Sequence, residues 1–169
     1  KWTDGEDDQD IEQLYEKYFD LALKLNIQNI STIKDGIETI NPANLQNPKD
    51  IIRIEKNKNE LENTVYKIQY LITILNQGEI PGYATEIIDY VPTGLKFNPA
   101  DNPKWKMIEG RLVNKELKND IINPGETKTT TITLTWSEET ENSKMMSNVA
   151  EIGQAVNNSN TPDINSTPN

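Results

Sequence analysis

An acidic residue stands inside an apolar run in the segment GYATEIIDYVPTGLKF, residues 82–97. The apolar residues before Asp89 and the Pro-Thr-Gly sequence after it predict a buried β-strand that ends in a turn. A carboxyl group in such a strand either lies on the solvated face or is held inside the protein for a chemical reason. A further alternative is that Asp89 caps the turn through the backbone near Thr93 and Gly94.

The composition removes most kinds of catalytic site. The 169 residues include no Cys and no His, which excludes thiolate catalysis, disulfide bonds, His-based triads and the usual zinc sites. No carboxylate pair has a spacing that marks a glycosidase site. We therefore predict that the protein is not an enzyme and needs no cofactor.

The net charge is -10, from 17 Lys and Arg against 27 Asp and Glu. This charge argues against nucleic acid and anionic membrane surfaces as partners, because both are negatively charged. No apolar run approaches the length of a bilayer span, so we expect no membrane insertion in this segment.

Two other groups of residues could bind a ligand. The acidic run KWTDGEDDQD has carboxylates close enough for a calcium site, but it lacks the EF-hand pattern, which favours a hydrated linker. The calcium candidates are Asp4, Glu6, Asp8 and Asp10. Trp105 in PKWKM is a candidate for ligand binding if it is exposed with the loop residues 98–110, whereas Trp136 lies on the apolar face of a predicted strand and is expected in the core.

Alternating apolar residues predict the strands that must position these side chains. The predicted strands lie in VYKIQYLITILNQGE, TKTTTITLTW and SNVAEIGQAV, with IIRIEKN earlier in the chain and KWKMI and RLVNKEL as short strands between turns. The segment DIEQLYEKYFDLALKL fits helical and strand spacing equally, and we expect a helical or irregular lead-in up to about Lys17 and a strand from Phe19. Short strands separated by Pro, Gly and Asn predict an all-β antiparallel β-sandwich.

Composition divides the chain into three parts. We predict an acidic interdomain lead-in over residues 1–17, a β-sandwich repeat over residues 18–157, and a linker rich in Asn, Ser, Thr and Pro over residues 158–169.

Several segments, in the same order, resemble a known family over most of residues 19–169. FDLALKLNI, NPKDIIRI, EIIDYVPTGLKF, NPGET with TITLTW, SNVAEI and DINSTPN resemble the conserved-repeat domain of Firmicutes cell-surface proteins. That domain is related to DUF11-type repeats and to the CnaA-like domains of Gram-positive adhesins and pilins. The resemblance implies an immunoglobulin-like β-sandwich, one of several in tandem on a wall-anchored chain.

The resemblance also implies a chemical role for Asp89. CnaA-like relatives form an isopeptide bond in which a Lys amine attacks an Asn amide while a buried acid handles the protons. Asp89 matches the acid and Asn148 matches the amide. The reactive Lys of the relatives falls one position after Lys24, where this chain has Leu25, and a one-residue offset points Lys24 to the opposite face unless a bulge re-aims it. The alternative to a cross-link among Lys24, Asp89 and Asn148 is that Asp89 and Asn148 form a hydrogen-bonded pair in the core.

These observations predict a mechanical role. We expect a stalk or spacer repeat of a Gram-positive cell-wall protein, with neighbouring repeats of the same chain as partners. The alternative is an adhesin module whose loops recognise a host protein or glycan.

Overall fold

The structure, a computed structural model, describes residues 12–43, 64–136 and 145–165. Within these residues every regular element is a β-strand. The strands are β1 (Leu21–Lys34), β2 (Ile37–Pro42), β3 (Thr64–Asn76), β4 (Tyr83–Tyr90), β5 (Leu95–Phe97), β6 (Trp105–Ile108), β7 (Arg111–Asn114), β8 (Thr127–Trp136) and β9 (Val149–Val156). The strand predicted for IIRIEKN lies outside the described residues. Residues 12–18 have no regular secondary structure.

The strands form two antiparallel sheets. Sheet I has the order β2-β1-β3-β8-β5, and sheet II has the order β6-β7-β4-β9. The prediction of an all-β antiparallel fold is therefore confirmed for the described residues.

The core lies on the faces that alternation predicts. In β3, Ile68, Tyr70, Ile72 and Ile74 are buried, and in β8 the buried residues Ile132 and Leu134 alternate with threonines. Sheet II contributes residues such as Ile87 and Leu112 to the same hydrophobic cluster. One core shared by two antiparallel sheets is compatible with a β-sandwich.

Strand β1 is the longest strand among the described residues, and its second half pairs on both sides. It pairs with β3 over its whole length and with β2 from Asn29 onwards, and the β1–β2 turn holds Asp35 and Gly36 at positive φ. The register of β1 against β3 shifts between Ile27 and Asn29, which indicates a β-bulge at Gln28.

The beginning and the end of the described fold meet in a parallel bridge between Phe19 and Asp163. Ile164 N–H donates to Phe19 O at 3.0 Å, and Leu21 N–H donates to Asp163 Oδ2 at 3.1 Å. We call these contacts the Phe19–Asp163 seam. Part of the segment predicted as a linker thus contacts the first strand directly.

Candidate functional site

Strand β4 places Asp89 between the two sheets. Asp89 lies two residues after the core residue Ile87, so both side chains point to the same face. Its partners on the neighbouring strands are Leu112 of β7 and Ala150 of β9, and both pack in or against the core. Asp89 is 0% exposed. Leu95 N–H donates to Pro92 O after β4, which closes the predicted turn without help from Asp89.

Asn148 reaches Asp89 from the residue that precedes β9. Its Nδ2 donates to Asp89 Oδ2 at 2.6 Å, and Asn148 itself is half-buried. Ala150 and Ile152 continue the same face of the strand and pack against the core, as the sequence predicted. The structure therefore brings together the acid and the amide that the sequence singled out.

The second oxygen of each residue has no hydrogen-bond partner. Asp89 Oδ1 and Asn148 Oδ1 are both buried and unpaired among the described residues. An unpaired buried oxygen costs free energy because water has been removed from it and nothing replaces the lost hydrogen bonds.

Burial controls the acidity of this pair. Burial raises the pKa of Asp89 to about 7, and the hydrogen bond from Asn148 lowers it in part. Tyr70 of β3 lies near enough to sense the carboxyl group, since burial and then the Asp89 charge raise the pKa of Tyr70 to about 12. Tyr70 is therefore neutral wherever Asp89 titrates.

Lys24 lies apart from the pair. It is exposed, whereas its neighbours Leu23 and Leu25 pack against the core from the opposite face of β1. The β-bulge at Gln28 comes four residues later in the chain and does not re-aim Lys24. The geometry thus supplies an acid and an amide but places the Lys24 side chain in solvent, on the face of β1 that points away from the core.

Trp105 does not meet the condition for a ligand-binding surface. It is only 4% exposed, and its indole Nε1 donates to Thr131 O at 2.8 Å. The ring thereby ties β6 of sheet II to β8 of sheet I, so its faces are not available for stacking on a sugar.

The calcium candidates Asp4, Glu6, Asp8 and Asp10 lie outside the described residues. Among the residues that the structure covers, no group of three or more acidic side chains could hold a metal ion. Over the same residues, the structure contains no helix with the length and apolar character needed to cross a membrane.

The contacts of the Phe19–Asp163 seam were not predicted from the sequence. Two of its three features are backbone contacts, which any residue can make, and the segment around Asp163 reads as a polar linker. The sequence offered only a weak signal, an Asp of the kind that often begins a turn. In the structure Asn165 N–H does donate to Asp163 Oδ1, at 3.3 Å.

Comparison with known proteins gave no relative: no family model matches the chain, and no curated protein or solved structure matches it. Over the described residues the fold is all-β, with two antiparallel sheets that enclose the buried carboxyl group of Asp89 and its hydrogen bond from the half-buried Asn148.

Proposed function

We propose that this domain is a spacer repeat that resists extension in a Gram-positive cell-wall protein. The sequence resemblance supports the cell-surface location and an immunoglobulin-like arrangement of the strands. The Phe19–Asp163 seam is the observation that carries the mechanical part of the proposal.

The seam joins two segments that run in the same direction. Suppose that tension pulls the chain before Phe19 and the chain after Asn165 apart. The two parallel segments are then drawn past each other in opposite directions. Their hydrogen bonds are stretched together instead of being opened one at a time from an end.

The same tension pulls β1 along its own axis past β3. These strands are paired from Leu21 opposite Asn76 to Lys34 opposite Thr64. Sliding β1 would break this whole ladder at once and would also move Leu21 and Ile30 out of the core. A spacer between other domains needs this kind of resistance.

The cross-link is not part of the proposal, because Lys24 is in solvent and Leu25 occupies the inward position. The adhesin alternative depended on an exposed patch around Trp105, and Trp105 is buried. The spacer role is therefore the one that the geometry favours.

Single-molecule pulling on a tandem array of this domain tests the proposal. The array is stretched through its ends between reference domains of known mechanical strength. We expect each repeat to unfold in one abrupt step at a force comparable to that of the reference domains. Gradual extension at low force, with no distinct step per repeat, would overturn the proposed role.

A further inference from the structure

One side of strand β8 is covered by a neighbouring strand over only part of its length. On the other side β8 pairs with β3 from Thr127 to Trp136, but here it pairs with β5 only from Leu134 to Trp136. Residues 127–133 therefore have no strand partner on this side among the described residues, and we call this side the β8 edge. Backbone N–H and C=O groups at such an edge can pair with a strand of another molecule.

The side chain of Asn102 takes the place of a strand residue on the β8 edge. Its Nδ2 donates to Thr133 O at 2.8 Å, and its Oδ1 accepts from Thr133 N–H at 2.7 Å. A residue of an adjacent antiparallel strand makes the same two hydrogen bonds with its backbone. Asn102 is only 4% exposed, so both bonds are shielded from water. One amide group thus satisfies the donor and the acceptor of Thr133.

Trp105 covers the next position along the β8 edge. Thr131 lies two residues before Thr133, so its backbone groups point to the same side of the strand. The hydrogen bond from Trp105 Nε1 to Thr131 O satisfies that carbonyl, and the buried indole lies beside it. The contact that ties the two sheets together therefore also covers the edge.

The loop between β5 and β6 holds Asn102 in position. Asn102 Nδ2 also donates to Asn98 O at 2.9 Å, and Trp105 N–H donates to Asn102 O at 3.0 Å. The adjacent residue Asp101 accepts from Lys67 Nζ at 2.7 Å, and Lys67 belongs to β3 on the far side of β8. The two covering side chains are therefore fixed by the fold and are not chance contacts of exposed groups.

The composition of β8 suits pairing with an identical strand. Residues 129–136, TTTITLTW, contain no charged residue, no Pro and no Gly. Thr, Ile and Trp favour extended strands, and uncharged segments of this kind pair readily with copies of themselves when their edge is free. The net charge of -10 opposes contact between two copies in general, so an uncharged edge is where that opposition is weakest.

We propose that Asn102 and Trp105 form a side-chain cap that keeps the β8 edge from pairing with the β8 edge of a second copy of this chain. Two identical edges in antiparallel orientation are self-complementary, because each presents N–H groups to the C=O groups of the other. The cap satisfies these groups within one molecule and so removes the template. This inference does not depend on the proposed spacer role.

Two substitutions that open the cap test the proposal. Asn102→Ala removes both hydrogen bonds to Thr133, and Trp105→Phe removes the indole N–H but keeps an aromatic ring in the core. Sedimentation velocity over a range of protein concentrations measures the association of the wild type, of each variant and of the double variant. We expect the double variant to associate at concentrations at which the wild type is monomeric. A double variant that stays monomeric throughout would overturn the proposal.

Two further variants separate an open edge from a general loss of stability. Asn157 is also a buried Asn that organises a loop, through hydrogen bonds with Ser159 and Thr161 after β9. Asn157→Ala should lower stability and stay monomeric, and association as strong as that of Asn102→Ala would refute the cap. Adding Thr131→Lys to the double variant should restore the monomer, because like charges then face each other across the paired edges. Association that persists with this Lys would contradict the β8 edge as its site.

Hydrogen exchange in the wild type provides a readout that needs no variant to fold. The Thr133 amide, which donates to Asn102 Oδ1, should exchange as slowly as the Ile132 amide, which faces β3. Exchange of Thr133 at the rate of a free amide would show that the edge is open and would overturn the proposal. In Asn102→Ala we expect faster exchange at Thr133 and unchanged exchange at Ile132.

Discussion

Phe19 and Asp163 form a parallel bridge that joins the first and the last described segments of the fold. The bridge matters because a chain that is pulled from both sides must slide these segments past each other. The adjoining hydrogen bonds, from Ile164 to Phe19 and from Leu21 to Asp163, lie beside β1 at its beginning. The seam therefore connects the ends of the domain directly to its longest strand.

The wild-type chain should have the mass of its sequence, with no loss of ammonia, because no amine faces Asp89 and Asn148 among the described residues. The variant Leu25→Lys puts an amine on the core-facing side of β1, a strand that comes close to β9. We expect this variant to lose one ammonia as its Lys attacks the Asn148 amide and the amide nitrogen leaves. High-resolution mass spectrometry of the intact protein checks both statements.

The double variant Leu25→Lys with Asp89→Ala is the control for this prediction. Without the buried acid to move protons, it should keep its full sequence mass. A wild-type protein that is already lighter by one ammonia would contradict the position assigned to Lys24.

Asp20 should destabilise the seam at neutral pH. Burial raises the pKa of Asp20, and the nearby Asp163 raises it further. The raised pKa means that stability is lost as the pH rises through the folded value, because a charge then forms in an unfavourable place. Asp20→Asn should accordingly raise the melting temperature at about pH 7 and have a smaller effect at about pH 3. Equal effects at both pH values would show that the Asp20 charge is not the cause.

Gly78 should tolerate no larger side chain. A Cβ at this position would lie 2.6 Å from Asp20 N and 2.9 Å from Tyr18 O, which are backbone atoms that cannot move aside freely. We expect Gly78→Ala to lower the free energy of unfolding by about 3 kcal/mol, measured by denaturant unfolding.

Gly125 provides the comparison for Gly78. Its φ is +77°, and nothing lies within 4 Å of an added Cβ, so Gly125→Ala introduces backbone strain without a clash. Its cost should be about 1 kcal/mol. Equal costs at the two positions would mean that the backbone contact with Tyr18 and Asp20 does not constrain the fold.

Local patterns predicted the strands well and their long-range contacts poorly. Alternation is strong where one face is buried, which is why β3 and β8 were predicted from Ile72 or Leu134 and their neighbours. Strand β2 was not predicted, since all of its residues are exposed and no alternation marks it. The Asp35-Gly36 pair, a common hairpin signal, could have revealed it.

The features of the candidate site were likewise predicted only in part. The pairing of Asp89 with Asn148 was predicted through a family resemblance, and no pattern in the residues alone indicates a contact across 59 positions. The burial of Trp105 was not predicted, because charged neighbours surround it in the sequence. Its position depends on the carbonyl of Thr131, which only the packing of the two sheets brings close.

The force at which the domain unfolds, in the wild type and in two variants of Asp163, tests the spacer role most directly. Asp163→Ala removes the acceptor for Leu21 N–H, whereas Asp163→Asn keeps an oxygen at that position. Asp120→Ala serves as the control for removing an Asp side chain as such. Asp120 is exposed and is distant in sequence from both Phe19 and Asp163. We predict that Asp163→Ala lowers the unfolding force in end-to-end pulling, while Asp163→Asn and Asp120→Ala leave it close to that of the wild type. An unfolding force that is the same in all four proteins would contradict the claim that the Phe19–Asp163 seam resists extension.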